Sequence, residues 1–167
     1  PQEQDDPLMG IYGTPSLEAM TLFVGSYGDN KVKSKLYALN ASDLNSDPFW
    51  TYPGPGDDET DIRQIVAGSV VADGKVIFGS SDGYMYAINI ATGQLAWSPF
   101  KTNDKIWSTP TVDSDTVYFG SLDHGLYAIS VADGSPRWAS PFQTDGSIVS
   151  SPLVVGGRVY FGSFDRN

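Results

Sequence analysis

Two stretches of this chain share one frame of residues. Residues 117–138 read VYFGSLDHGLYAISVADGSPRW, and residues 76–97 read VIFGSSDGYMYAINIATGQLAW. Each stretch ends on a tryptophan, and Trp97 and Trp138 lie 41 residues apart. A repeat of about this length is typical of solenoids, propellers and other arrays. We therefore predict a repeat protein.

A ten-residue spacing extends the repeat outward to four units. In each unit a proline, replaced once by serine, precedes a glycine by ten residues, as in Pro15 and Gly25, Ser69 and Gly79, Pro110 and Gly120, and Pro152 and Gly162. The first three units then run through Tyr-Ala-Leu or Tyr-Ala-Ile to Trp50, Trp97 and Trp138, whereas the fourth reaches neither landmark. We predict units at 11–50, 65–97 and 106–138, a partial unit at 148–164, and a polar lead-in at 1–10.

The residue types inside each unit predict short β-strands. Val117-Tyr118-Phe119 and its counterparts are β-branched and aromatic, as strands prefer. The sequences Asp82-Gly83 and Asp123-His124-Gly125 are typical of tight hairpin turns. Four short antiparallel strands in about 41 residues form the blade of a β-propeller. The predicted fold is all-β, with about three and a half four-stranded blades.

The number of units bears on how the ring would close. Propellers typically have about 4 to 8 blades, so we expect this chain to be part of a ring of about seven or eight, in preference to a ring closed by a second copy. An open half-ring would expose an apolar face at the first unit and an unpaired strand edge at 159–162. Exposed edges and apolar faces recruit partners, so we expect the chain alone to dimerise, to aggregate or to require the remainder of its parent protein, with self-pairing through the fourth unit as the specific hypothesis.

The spacing of the frame resembles the repeat of the quinoprotein (PQQ-type) β-propeller family over residues 11–167. That family includes dehydrogenases that use pyrroloquinoline quinone (PQQ), as well as non-enzymatic BamB-like assembly proteins, so the resemblance implies a periplasmic or extracellular protein. An indole offers a large flat surface and a glycine allows close backbone approach. We therefore expect the frame residues to dock one blade on the next rather than to form a site; they are Trp50, Trp97, Trp138, Gly79, Gly120 and Gly162.

Composition narrows the possible functions. The net charge is −10, and 17 of the 20 acidic residues are aspartates, many of them in predicted turns. Nucleic-acid binding needs a basic stripe, which this chain lacks. Absence of cysteine excludes disulfides and thiolate chemistry. The one histidine, His124, stands in a predicted turn, so neither a Ser-His-Asp triad nor a two-histidine metal site can form.

Two insertions in the first unit depart from the repeat. The hairpin between Gly25 and Tyr37 is longer than its counterparts and contains Lys31, Lys33 and Lys35. The loop from Trp50 to Ile65 is also longer and contains Asp57, Asp58 and Arg63. Strands that alternate in direction place both insertions on one face, where loops commonly carry function. They form either a binding site or, as we favour, two solvated loops whose charges pair for about 0–1 kcal/mol.

Trp107 is a further departure from the repeat. Its counterparts are Tyr12, Val66 and Val149, and it closely follows Asp104 and Lys105 at the start of a predicted inner strand. An aromatic ring near a cation can stack on a planar ligand or on a partner side chain. The alternative, which we favour, is that the ring plugs the central channel.

These observations leave two classes of function. A quinoprotein dehydrogenase would hold PQQ and calcium over the ring axis beside an aspartate base, and the alcohol-oxidising members also carry adjacent cysteines, which this chain lacks. The sugar-oxidising members lack that pair, so a fragment of a PQQ- and Ca²⁺-dependent dehydrogenase stays as the alternative. We favour a non-catalytic binding or scaffold propeller with no cofactor, whose partners are proteins or the remainder of its own ring, and we expect neither nucleic-acid binding nor a membrane span.

Overall fold

The computed structural model describes residues 10–29, 32–56 and 62–165. Within these ranges the chain forms fourteen strands and no helix. The first blade contains β1 (Ser16–Glu18), β2 (Thr21–Gly25), β3 (Leu36–Asn40) and β4 (Trp50–Tyr52). The second contains β5 (Ser69–Ala72), β6 (Lys75–Gly79), β7 (Tyr84–Asn89) and β8 (Phe100–Lys101). The third contains β9 (Thr111–Asp113), β10 (Thr116–Gly120), β11 (Gly125–Ser130) and β12 (Phe142–Gln143). The fourth contains β13 (Leu153–Val155) and β14 (Arg158–Tyr160).

Each blade is an antiparallel meander in which strands adjacent in sequence pair with each other. The first strands β1, β5, β9 and β13 contact one another in that order. The blades therefore follow one another around a common axis, with these strands innermost. This arrangement confirms the prediction of an all-β propeller segment with three four-stranded blades and two strands of a fourth.

Apolar side chains fill the space between successive blades. One buried cluster joins Phe23 and Leu36 of the first blade to Phe78 and Ile88 of the second. A second cluster joins Ile77 and Met85 of the second blade to Val117, Phe119 and Ile129 of the third. Alternate residues of a strand point to opposite faces, so Ile77 and Phe78 serve different interfaces. The second blade is thus apolar on both faces.

The frame glycines lie where the following blade comes closest. A Cβ atom added to Gly79 would overlap the side chain of Ile106, and one added to Gly120 would overlap Ile148. Gly162 lies outside this pattern, because the nearest atom to its added Cβ is Ser150 Oγ at 3.6 Å. Among these three glycines, the close approach is therefore seen only where the following blade is described.

Two of the frame tryptophans, Trp50 and Trp97, lie over glycines of the following blade. A Cβ on Gly93 would come within 2.7 Å of the Trp50 ring, and one on Gly134 would come within 2.8 Å of the Trp97 ring. The Trp50 Nε1 donates to the carbonyl of Ile90 at 2.8 Å. The buried Trp97 Nε1 has no hydrogen-bond partner. The same packing therefore comes with a hydrogen bond in one interface and without one in the next.

The fourth strand lies later in the second and third blades than the sequence indicated. Trp50 begins β4, but Trp97 and Trp138 precede β8 and β12. In these two blades the chain first makes an isolated bridge near the turn, such as Ile88 with Leu95. The paired segments therefore extend past the tryptophans that end the predicted units.

The face of the first blade that we expected to be exposed is largely buried. Val24, Tyr37 and Leu39 form a third buried cluster with the half-buried Leu22. Leu17, on the innermost strand, is exposed. The expectation of an exposed apolar face is therefore wrong for Val24, Tyr37 and Leu39.

We expect Trp97→Ala to destabilise the fold far more than Trp107→Ala. The Trp97 side chain is 8% exposed and fills an interface between blades, whereas Trp107 is 36% exposed. Loss of a buried aromatic side chain leaves a cavity and costs about 3–5 kcal/mol, while loss of the exposed one costs far less. Urea titrations of the two variants test this, and equal losses would contradict the assignment of Trp97 to packing.

We also expect Met20→Gly to stabilise the protein. Met20 has φ 67° in the turn between β1 and β2, and its counterpart in the second blade is Gly74, also with φ 67°. A side chain in this left-handed region costs about 1–2 kcal/mol, which exceeds the unfolded-state entropy of glycine at about 0.4–1 kcal/mol. The matched variant Gly74→Met, where a Cβ meets no atom within 4 Å, should destabilise by a similar amount. In thermal denaturation, Met20→Gly should raise the melting temperature and Gly74→Met should lower it. Shifts of the same sign would contradict the prediction.

Candidate functional site

Two sets of connections meet at one end of the blades. The backbone amide of Thr102, in the connection between the second and third blades, donates to Gly83 in a hairpin at 2.9 Å. Similar bonds join Ile106 to Ser80 and Ile148 to Ser121. We call this end the loop face; its described residues are 26–29, 32–35, 53–56, 62–64, 80–83, 102–106, 121–124 and 144–148. It is the face to which both first-unit insertions were assigned.

Trp107 is held in place at the edge of the loop face. Its Nε1 donates to Ser81 Oγ at 2.9 Å, and Ser81 Oγ donates in turn to the carbonyl of Gln64 at 2.9 Å. The Lys105 Nζ lies 5.3 Å from the ring centroid, a cation–π distance worth about 0.5–1 kcal/mol at an exposed site. The ring is therefore fixed by neighbours on two sides while part of its surface stays open to solvent.

A shallow cavity of about 390 Å³ lies beside Trp107. It is lined by Ser81, Asp82, Lys101, Thr102, Asn103, Asp104 and Lys105. Two carboxylates face two ammonium groups, so the lining is balanced in charge. The cavity therefore suits polar groups of either sign rather than one strongly charged ligand.

One aspartate of this cavity, Asp82, and its counterpart in the next blade, Asp123, hold the hairpins in shape. Asp82 Oδ2 accepts a hydrogen bond from the Tyr86 hydroxyl at 2.7 Å, and Asp123 Oδ2 accepts one from Tyr127 at 2.6 Å. Burial, together with the carboxylate partner, raises the pKa of both tyrosines well above the ordinary value. Both phenols stay protonated at neutral pH, so these pairs position the loop face and do not supply a base.

The structure brings together part of the predicted site. Asp104 precedes Lys105, whose Nζ lies over the Trp107 ring. The carbonyl of Arg63 accepts from Ser80 Oγ at 3.1 Å, one residue before the Ser81 that holds Trp107. Lys33 and Lys35 lie on the first-blade insertion, which touches the loop before the second blade through Gln64 Nε2 and the Gly28 carbonyl at 3.4 Å. Lys31, Asp57 and Asp58 lie outside the described residues.

Sequence reasoning missed a second exposed aromatic group on this side. The rings of Tyr12 and Tyr27 lie 4.9 Å apart, and both remain exposed. Tyr12 stands at the repeat position of Trp107, and Tyr27 stands at that of Ser81. The repeat alignment could have found the pair, since an aromatic residue occupies both positions of the first unit.

Other possible sites are weaker in the described part of the chain. A larger cavity of about 730 Å³ lies on the outer rim between β4 and the turn at Thr92, but no charged side chain lines it. Residues 10–29, 32–56 and 62–165 contain no group of three or more His, Cys, Asp or Glu residues that could hold a metal ion. Within the same ranges, no helix is long and apolar enough to cross a membrane.

Comparison with known proteins agrees with the fold and the repeat. The family model described as outer membrane protein assembly factor BamB matches residues 6–167. The crystal structure of BamB from Moraxella catarrhalis superposes with a TM-score of 0.73 and 21% identity, covering 94% of this chain and 45% of that one. At this identity the likeness shows the fold alone, and the chain spans less than half of that relative's length.

Two further relatives differ in kind. A quinohemoprotein alcohol dehydrogenase from Pseudomonas putida HK5 superposes with a TM-score of 0.62 and 28% identity, covering 83% of this chain and 21% of that one. The regulatory protein FlaEY of Caulobacter vibrioides is 30% identical over 82 residues, which is 44% of this chain and 9% of that protein. Proteins similar to this chain thus include both an alcohol dehydrogenase and a regulatory protein, so the similarity does not define one function.

We expect Tyr86→Phe to destabilise the protein by about 1–2 kcal/mol, since it removes a hydrogen bond to a partly exposed carboxylate. Tyr84→Phe is the matched control, because no hydrogen bond of the Tyr84 hydroxyl is observed and the ring stays under Lys101; its effect should stay within about 0.5 kcal/mol. Equal effects of the two changes in urea titrations would contradict the role given to Asp82.

The same pair predicts a pH dependence. The pKa of Tyr86 is raised in the folded state, so its contribution is complete below the ordinary tyrosine pKa of about 10 and is lost as pH rises above that value. Stability should therefore fall less steeply above pH 10 in Tyr86→Phe than in the unchanged protein. Parallel alkaline denaturation curves would be the contrary result.

Proposed function

Because the chain belongs to the family of the outer membrane protein assembly factor BamB, a family of PQQ-type repeat propellers, we propose that it is a non-catalytic propeller that binds other proteins through its loop face. The observation that carries this proposal is Trp107, which is fixed by Ser81 and Lys105 yet partly exposed. The proposal includes an exported location, periplasmic or extracellular, which the family resemblance supports. The name of the family model makes proteins of outer-membrane assembly the first partners to test.

The chemistry of the loop face favours a protein partner. Tryptophan and tyrosine dominate the residues that contribute most to protein interfaces, and a side chain already held in one rotamer loses little entropy on binding. Trp107 and the Tyr12–Tyr27 pair provide such anchors. The charged residues around the cavity, among them Asp82 and Lys101, provide the polar rim that surrounds an interface core.

The second candidate is a PQQ- and calcium-dependent dehydrogenase, and the 28% identity to a quinohemoprotein alcohol dehydrogenase favours it. A calcium site needs six to eight oxygen ligands, several of them carboxylates. The described residues contain no acidic cluster of that kind, and Asp82 and Asp123 are bonded to tyrosines. The described part of the chain does not fit such a site by itself, so no catalytic step is assigned to it.

A site-specific photo-crosslinker tests the binding proposal in the cells that produce the protein. Placed at Asn103, which is exposed beside Trp107, it should give discrete adducts with a partner protein. At Leu44, exposed in the turn between β3 and β4 at the opposite end of the blades, it should not. Adding Trp107→Ala to the Asn103 probe should reduce the adduct about tenfold or more, as expected for a hot-spot residue.

Two results would contradict the proposal. Adducts of equal yield from Asn103 and Leu44, or adducts that do not depend on Trp107, would remove the loop face as the binding surface. Dye-linked oxidation of an alcohol or sugar by the purified protein with PQQ and Ca²⁺, together with saturable change in quinone absorbance, would support the dehydrogenase instead.

A further inference from the structure

Two lysines of the loop face have no acidic partner among the described residues. Lys101 and Lys105 are exposed on either side of Asn103, in the segment that connects the second blade to the third. The Lys101 Nζ lies 5.5 Å from the centroid of the Tyr84 ring, and the Lys105 Nζ lies 5.3 Å from that of Trp107. Neither ammonium group forms an ion pair or a hydrogen bond with a described residue. Each charge is therefore placed against an aromatic ring but remains unpaired.

Two cations at the opposite end of the blades are paired instead. The Lys75 Nζ contacts Asp73 Oδ2 at 2.6 Å, and Arg137 forms an ion pair with Asp115. The chain has 20 acidic residues for 10 basic ones, so acidic partners are abundant. The two lysines of the loop face are thus left unpaired in a protein that pairs comparable cations elsewhere.

The carboxylates of the same cavity are engaged in internal hydrogen bonds. Asp82 accepts from the Tyr84 amide through Oδ1 at 2.9 Å and from the Tyr86 hydroxyl through Oδ2 at 2.7 Å. Asp104 accepts from the Lys105 amide through Oδ1 at 2.7 Å. The cavity is balanced in charge, but its ammonium groups are the charged groups that make no internal hydrogen bond. A hydrogen-bond acceptor of a partner can therefore bind there without breaking an existing contact.

The next connection has the same backbone arrangement without the lysines. The Thr144 amide donates to the hairpin of the third blade at 3.0 Å, as the Thr102 amide donates to that of the second at 2.9 Å. Gln143 and Ser147 stand at the positions of Lys101 and Lys105. The hydrogen-bonded framework therefore does not need lysine at either position, and the two charges are a departure from the repeat.

The neighbours of the lysines favour a carboxylate over other anions. A dianionic phosphate group would be repelled by Asp82 and Asp104, whereas one carboxylate carries a single charge that one lysine can pair. Screening limits the reach of exposed charges to about 10 Å at 0.1 M salt, so the net charge of −10 does not prevent such a local contact. A broad anionic membrane surface would meet the acidic residues of the loop face together with its lysines.

We propose that Lys101 and Lys105 bind the carboxylates of an acidic segment of the partner protein, and that an apolar side chain of the same segment packs on the exposed part of Trp107. This inference rests on the proposed function, because it specifies the partner of the loop face. Trp107 provides the apolar anchor. The lysines select the acidic sequence and speed its approach, as charges at the rim of an interface do.

The photo-crosslinker at Asn103 lies between the two lysines and reports on both. Lys101→Gln and Lys105→Gln should each lower the yield of the Trp107-dependent adduct about two- to fivefold, and Lys105→Glu should lower it further because it repels the acidic segment. Lys105→Arg keeps the charge and should keep the adduct. Lys75→Gln, which removes a paired lysine at the opposite end, is the matched control and should leave the yield unchanged. Thermal denaturation of each variant separates these effects from a loss of folding.

Synthetic peptides test the chemistry of the ligand. The acetylated and amidated peptide Gly-Glu-Leu-Glu-Gly, titrated into the ¹⁵N-labelled protein, should saturably shift the indole N–H signal of Trp107, one of four tryptophans. The peptide Gly-Gln-Leu-Gln-Gly should bind several-fold more weakly. Replacement of both Lys101 and Lys105 by glutamine should remove the difference between the two peptides, as a double-mutant cycle requires.

The outcomes distinguish this inference from the proposed function. If the Trp107-dependent adduct forms in equal yield in all lysine variants, or if the two peptides bind equally, the inference is overturned and the proposed function stands. An adduct that does not depend on Trp107 contradicts the proposed function and the inference with it. Vesicles of phosphatidylglycerol and phosphatidylcholine that bind through Lys101 and Lys105, while the acidic peptide does not, would assign the lysines to a membrane surface and overturn the inference as well.

Discussion

The contact between a glycine at the end of one second strand and an isoleucine that leads into the next blade sets the spacing of the whole structure. A Cβ atom on Gly79 or Gly120 would overlap Ile106 or Ile148, so no larger residue fits without moving a blade. The isoleucine amides bond to carbonyls one residue beyond these glycines, at Ser80 and Ser121. Close approach of the backbone and burial of the isoleucine thus occur at one point, and the apolar clusters between blades follow from it.

The loop face begins at this same point, which explains why it is rigid enough to present side chains. The hydroxyl of Ser80 donates to the Arg63 carbonyl, and that of Ser121 donates to the Lys105 carbonyl. The Asp–Tyr pairs close the hairpins beside them. A residue that departs from the repeat here, as Trp107 does, is therefore held by a repeated framework that serves every blade. The proposed binding uses Trp107, which departs from the repeat, and the repeated hydrogen bonds of the hairpins explain why Trp107 lies where it does.

The two described strands of the fourth blade continue the same framework. The amide of Asp165 donates to Ser163 Oγ, as the amides of Asp82 and Asp123 donate to Ser80 Oγ and Ser121 Oγ. The contacts that shape the loop face therefore recur from the second blade to the fourth, because they are made by residues of the repeat.

The sequence by itself determined the fold, the number of blades and the glycines and tryptophans at their interfaces, because a periodic pattern records contacts that recur in every unit. Only the tertiary structure decided the features that occur once. It places Ser81 against Trp107, 26 residues away, and it stacks Tyr12 on Tyr27. It gives the indole nitrogen of Trp50 a carbonyl partner and that of Trp97 none. It also buries Val24 on a face that the repeat predicted to be exposed. Such contacts join residues that stand at different positions of the repeat. Their geometry depends on how the blades pack, so it cannot be predicted from the spacing of residues in the sequence.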